Sequence, residues 1–133
     1  MSASGLASSR FARSQRLLNS GDYKDVFDRS DFRASHKNVL MLARANNKTQ
    51  TRLGLVFGKK NIPRAVDRNR LKRITREQFR LQNKPGDGLD IIVMARAALA
   101  KIDNQTYAGL IRKLMEDVQQ QRARKQKNDL SRT

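Results

Sequence analysis

Seven residues, Leu89-Asp90-Ile91-Ile92-Val93-Met94-Ala95, narrow the fold more than any others in the chain. All but Asp90 are apolar, and the run lacks the period-2 alternation of a half-exposed strand, so it reads as a strand covered on both faces. The turn chemistry of Pro85-Gly86-Asp87-Gly88 separates it from what precedes. Such a strand belongs in the centre of a small sheet, with helices laid against it.

The rest of the chain supplies those partners. Its 133 residues make one domain's worth of sequence. Val39 to Arg44 and Thr51 to Gly58 read as strands joined by the polar connection Asn46 to Gln50, and they are expected to pair antiparallel as a hairpin. Gly54 and Gly58 stand where strands prefer side chains, which points to a bulge or a close backbone approach. Leu17 to Phe27 reads as a short helix with Asn19 or Ser20 as N-cap and Asp22 in the first turn. Asp28 to Lys37 is turn-like, with room for one short extended piece, and Arg96 to Ile102 is a connection. After Asp103, an N-cap, the residues Tyr107, Leu110, Ile111, Leu114, Met115 and Val118 recur at the spacing of a helix lying along a sheet. The sum is an α/β (α+β) two-layer sandwich of about four strands and three helices. It occupies residues 17–118 as a single α/β domain, between a disordered basic arm at 1–16 and a flexible basic tail at 119–133.

Charge is concentrated between Arg64 and Arg80. There Arg64, Arg68, Arg70, Lys72, Arg73, Arg76 and Arg80 face only Asp67 and Glu77, seven cations against two acids. At about 100° per residue, Leu71, Ile74, Phe79 and Leu81 fall within one arc, with Asn69, Lys72, Arg73, Arg76 and Arg80 opposite. An ordinary solvated helix face mixes signs at i, i+4 to relieve repulsion. The stripe of Asn69, Arg73, Arg76 and Arg80 contains no acid, so its counter-charge is expected from a partner. Arginine dominates, and its planar fork grips two phosphate oxygens or stacks on a base.

Composition excludes several classes. A formal net charge of +17 calls for a polyanion, and without Trp or a long apolar run nucleic acid fits better than a membrane. No cysteine is present, which removes disulfides and thiolate chemistry. His36, the only histidine, lacks convergent ligands and reads as a surface residue rather than a metal ligand. The acid-free segment Met1 to Arg16 allows a transit peptide but has no secretory apolar region. Without a histidine pair, a detectable acidic metal cluster or a phosphate-binding glycine fingerprint, the chain reads as a binder rather than a nuclease in its own right. Tyr23 and Phe27, aromatic residues on one helix face among basic neighbours, read either as core or as stacking platforms for single-stranded bases.

Gly58-Lys59-Lys60-Asn61 followed by the run Arg64 to Arg80, with Arg68-Asn69-Arg70 and Lys72-Arg73 inside it, closely resembles the signature of the protein subunit of bacterial ribonuclease P. The likeness extends to Arg16-Leu17-Leu18, Tyr23 to Phe27, Arg52-Leu53-Gly54-Leu55 and Asp90-Ile91-Ile92-Val93. The resemblance implies a cytoplasmic bacterial protein that binds a catalytic RNA and the 5′ leader of precursor tRNA, as one protein with one RNA. The RNA would perform the endonucleolytic cleavage, with Mg²⁺ held mainly by the RNA and none bound tightly by the protein. Lys59, Lys60, Arg64, Arg68, Asn69, Arg70, Lys72, Arg73 and Arg76 would contact the catalytic RNA. Tyr23, Phe27, Val39, Met41 and Arg44 would contact the leader. The resemblance further implies a left-handed βαβ crossover. Where many members carry an aromatic on the first long strand, this chain has Asn38, Met41 and Leu42. The competing assignments are a ribosomal protein or a general RNA chaperone, which share the charge without the leader cleft.

Overall fold

The structure, a computed structural model, describes residues 20–46, 50–82 and 88–132. The expected N-terminal arm, Arg16-Leu17-Leu18, the Asn19 cap, the middle of the 46–50 connection and the Pro85-Gly86-Asp87 stop lie outside those residues. The elements are α1 (Ser20–Arg29), β1 (Phe32–Ser35), β2 (Val39–Ala45), β3 (Arg52–Val56), α2 (Ala65–Gln82), β4 (Leu89–Ala95), a 3-10 turn (Leu99–Lys101) and α3 (Asn104–Arg132).

The sheet order is β1-β2-β4-β3. β4 lies between β2, its antiparallel neighbour, and β3, its parallel neighbour. The central place read for the apolar strand is therefore the observed one, and it displaces the expected hairpin. β2 and β3 do not pair, because β4 inserts between them and takes a ladder from each. The local hairpin is instead β1 with β2, closed by His36 and Val39, which exchange backbone hydrogen bonds of 2.9 and 3.3 Å. His36 is half-buried there rather than a free surface residue, and its Nδ1 accepts the Asn38 N–H at 3.1 Å.

Strand alternation divides the sheet into two unequal faces. One carries Phe32, Ala34, Val39, Met41, Ala43, Leu53, Ile91 and Val93 against Leu71, Ile74 and Phe79 of α2 and against Tyr107, Ile111, Leu114 and Val118 of α3. The other carries a smaller apolar cluster, Leu42 and Ile92 beneath Val26 of α1, with Tyr23, Leu40, Val56 and Met94 partly covered around them.

The buried stripe of α2 is Leu71, Ile74, Thr75 and Phe79. Leu81, expected on that stripe, is instead 61% exposed one residue before the helix end. Thr75 joins the two core helices: it donates its only proton to the Leu71 carbonyl at 2.7 Å, so the Tyr107 hydroxyl donates to Thr75 Oγ1 at 2.6 Å. Burial pushes the Tyr107 phenol well above its ordinary pKa.

α3 begins as expected, with Asp103 Oδ1 accepting the Thr106 N–H at 2.8 Å. It differs at the other end, continuing through Arg132 where a flexible tail was expected. The stretch just past Val118, Gln119-Gln120-Gln121-Arg122-Ala123-Arg124-Lys125, consists of strong helix formers, and Gln121 docks on β1. There its side chain accepts the Arg33 N–H at 3.1 Å and donates to the Arg33 carbonyl at 2.7 Å. Gly58 departs from expectation too: a Cβ added there would meet nothing within 4 Å, so no close approach accounts for it.

Candidate nucleic-acid interface

The basic helix is presented by a braced entry. The chain leaves β3 and turns at Gly58, whose carbonyl accepts the Ile62 N–H at 3.0 Å. Ile62 is buried as an apolar anchor, and Pro63 pre-sets the approach to the first turn of α2. Arg68 reaches back to the Ile62 and Pro63 carbonyls at 2.9 and 3.0 Å. Asn61 ties the same loop to the end of β4 through the Ala95 carbonyl at 3.0 Å.

With the apolar stripe docked, Asn69, Arg73, Arg76 and Arg80 stand exposed, and no ion pair engages these three arginines among the described residues. Lys59, Lys60 and Arg64 are exposed beside the helix start, and Lys72 is half-buried along its flank. Arg70 is the exception among the residues expected to meet RNA. It turns inward to Asn104 Oδ1 at 2.6 Å, the Ala100 carbonyl at 3.2 Å, the Ile102 carbonyl at 3.4 Å and Asp67 at 3.4 Å. Its guanidinium straps α2 to the start of α3, and Arg68 likewise spends one end on the loop.

A second surface lies on the α1 face of the sheet. Register places Leu40, Met94 and Val56 in one row across β2, β4 and β3, with Ser35 continuing it on β1. These three apolar residues are only partly buried. α1 crosses the opposite end of this face: Asp22 contacts Arg52 of β3, Asp25 lies 3.8 Å from Arg44 of β2, and Asp31 beyond the helix accepts the Ala45 N–H. The helix and the partly covered row thus bound a groove, with Tyr23 half-buried and Phe27 41% exposed along the helix side. The row ends where β3 and β4 end, beside Lys59, Lys60 and Arg96.

Val39 and Met41 do not belong to this groove. Both are fully buried on the opposite face beneath the core helices. Because side chains alternate, the residues of β2 that face α1 are Leu40, Leu42 and Arg44. Leu40, Met94 and Val56 are the residues that sequence reasoning missed, and the phase of β4 relative to its neighbours is the signal that would have found them. Among the described residues no group of three or more acids or histidines could hold a metal ion, and no helix is long and apolar enough to cross a membrane.

Known proteins share this arrangement. The chain is 49% identical over 115 residues to the ribonuclease P protein component of Chromohalobacter salexigens, covering 84% of this chain and 90% of that protein. It is 46% identical over 99 residues to the Pseudomonas putida protein component, covering 74% of each. Among solved structures, the ribonuclease P protein of Thermotoga maritima, in complex with 1-(4-fluorophenyl)-2-thiourea, superposes with a TM-score of 0.64 at 30% identity over 74% of this chain and 96% of that one. A basic helix held up by a mixed four-stranded sheet, relatives at nearly half identity and a match of residues 11–119 to the Ribonuclease P family model lead to one conclusion: the chain belongs to the ribonuclease P protein family.

Proposed function

We propose that the outward stripe of α2, with Lys59, Lys60 and Arg64, binds the catalytic RNA while the groove between α1 and the Leu40-Met94-Val56 row takes the single-stranded 5′ leader of precursor tRNA. The chain is the protein subunit of ribonuclease P, a partner of the ribonuclease P RNA in tRNA 5′ maturation. The observation that carries the division of surfaces is the contrast within α2: Arg70 is consumed by internal acceptors, whereas Arg73, Arg76 and Arg80 remain exposed on a stripe without an acid.

Each surface suits its partner physically. A rigid helix presents these guanidinium groups without further ordering of the backbone, and the planar fork loses less freedom per hydrogen bond to phosphate than a flexible ammonium does. The groove combines an exposed aromatic ring with a flat apolar floor, which tolerates any base by stacking and contact rather than by edge recognition. Arg44 and the basic loop at the far end supply charge for the leader backbone. Bond cleavage, and the Mg²⁺ that it uses, are assigned to the RNA. By neutralising phosphates between two RNAs, the protein lowers the Mg²⁺ that the complex needs. It acts in the bacterial cytoplasm as one protein with one RNA.

Reconstitution tests this. With the catalytic RNA at low Mg²⁺, the protein should raise cleavage of precursor tRNA, and it should increase affinity for leader-bearing over leaderless substrate. Equal affinity for the two substrates would refute the groove assignment.

A further inference from the structure

The α1 helix has few means of holding its position. It is 10 residues long, too short to be stable alone, and its one fully buried side chain is Val26. The apolar cluster that Val26 forms with Leu42 and Ile92 is small and non-directional. Beside the longer and more exposed Asp25–Arg44 pair at 3.8 Å, the buried directional contact comes from Arg52, the first residue of β3. Its Nε and Nη2 donate to the two carboxylate oxygens of Asp90 on β4 at 2.8 and 2.7 Å, a bidentate pair. The same guanidinium reaches Asp22 of α1 at 3.3 and 3.4 Å. Asn46 holds Asp90 from the other side at 2.8 Å. All three charged side chains are largely buried, at 15% exposed for Arg52, 19% for Asp22 and 8% for Asp90.

The lengths rank the two arms. Arg52 belongs to Asp90, and together they form a fixed platform on the sheet. From that platform a longer arm extends to the helix. Breaking the platform leaves a buried carboxylate without its partner and threatens the fold. Breaking the arm to Asp22 loosens the N-terminal end of α1 and leaves the Arg52–Asp90 pair on the sheet intact.

We propose that Arg52 is a positioning residue, which fixes α1 over the sheet through Asp22 and so sets the width of the groove bounded by Tyr23, Phe27, Leu40, Met94 and Val56. Arg52 touches no RNA in this role. The proposal rests on the reading of that groove as the leader site, and the test separates the two.

The chain has no cysteine, so two introduced ones report without background. Spin labels at Arg29→Cys on α1 and Lys113→Cys on the exposed side of α3 measure the position of α1 against the core. Asp22→Asn, which weakens the helix arm without touching the Arg52–Asp90 pair, should broaden this distance distribution. It should also lower the preference for leader-bearing over leaderless precursor tRNA by about threefold to tenfold, with affinity for the catalytic RNA unchanged. Asp22→Glu, which keeps the carboxylate, should recover most of the preference. Arg52→Met should reproduce the Asp22→Asn effect if it folds, and Asp22→Asn suffices if it does not. An unchanged distance distribution in Asp22→Asn overturns the positioning role of Arg52. A broadened distribution with unchanged leader preference overturns the link between α1 position and the leader, and with it the groove assignment.

Discussion

Replacing Arg70 and Arg73 one at a time separates a strap from a contact on the same helix. In Arg70→Ala, Asn104 Oδ1 and the Ala100 carbonyl lose donors at 2.6 and 3.2 Å, and two weaker contacts at 3.4 Å disappear. A hydrogen bond from a charged donor contributes roughly 1.5 kcal/mol or more. Two good bonds, discounted because the Arg70 side chain is 21% exposed, give a loss of about 2 to 3 kcal/mol. For a domain of this size that lowers Tm by roughly 6 to 15 °C. Arg70→Lys should recover little of this, since an ammonium cannot spread over four acceptors as the planar fork does. Arg73→Ala breaks no ion pair among the described residues, so its stability should stay within about 0.5 kcal/mol of the parent while affinity for the catalytic RNA falls. Thermal melts followed by circular dichroism, run beside RNA titrations of the same preparations, give both readouts. If Arg70→Ala melted with the parent protein and lost RNA affinity as Arg73→Ala does, the strap assignment would be refuted.

Further outcomes follow from the same geometry. Leu71→Ala removes a fully buried side chain and should cost about 2 to 5 kcal/mol in chemical denaturation, which would be contradicted by an unchanged midpoint. The double variant Arg73→Ala, Arg76→Ala should reduce the slope of log affinity for the catalytic RNA against log salt by about 1 to 2; an unchanged slope means that neither residue meets phosphate. Ala98 holds a left-handed φ of 64° just before the 3-10 turn, so Ala98→Gly should stabilise the fold by about 1 kcal/mol in denaturant titrations. For Tyr107 the folded pKa is raised by burial, so its contribution is intact below about pH 10, the unfolded phenol value, and is lost as pH rises above it. Tyr107→Phe, which also loses the Thr75 bond, should be less stable than the parent at neutral pH and show a shallower alkaline decline; parallel curves above pH 10 would contradict the assignment.

What could be read from sequence was what repeats at a fixed interval. Continuous apolar character placed β4 centrally, the i, i+3, i+4 stripe identified the buried side of α3, and the acid-free stripe of α2 is the one that stands exposed. Strand neighbours carry no such period, so the parallel pairing of β3 with β4 was hidden behind a plausible hairpin. Val39-Leu40-Met41-Leu42 is apolar at every position, and a run of that kind does not say which alternate residues look into the groove. Arg70 and Arg73 lie about 60° apart around the helix, too close for periodicity to separate. Arg70 is diverted by the backbone carbonyls of Ala100 and Ile102, groups that every residue possesses and that no side-chain pattern announces. The Arg52-Asp22-Asp90 cluster was hidden for a similar reason, its members coming from three distant elements whose proximity exists only after the sheet forms.

Gln121 meets both outward-facing backbone groups of Arg33, on the strand that borders the sheet. An unoccupied border strand is a template on which another chain can add itself, and so a starting point for self-association. One glutamine amide occupies part of that template here, and it is supplied by the distal part of α3. Shortening the helix ahead of Gln121 would therefore cost solubility before it cost fold.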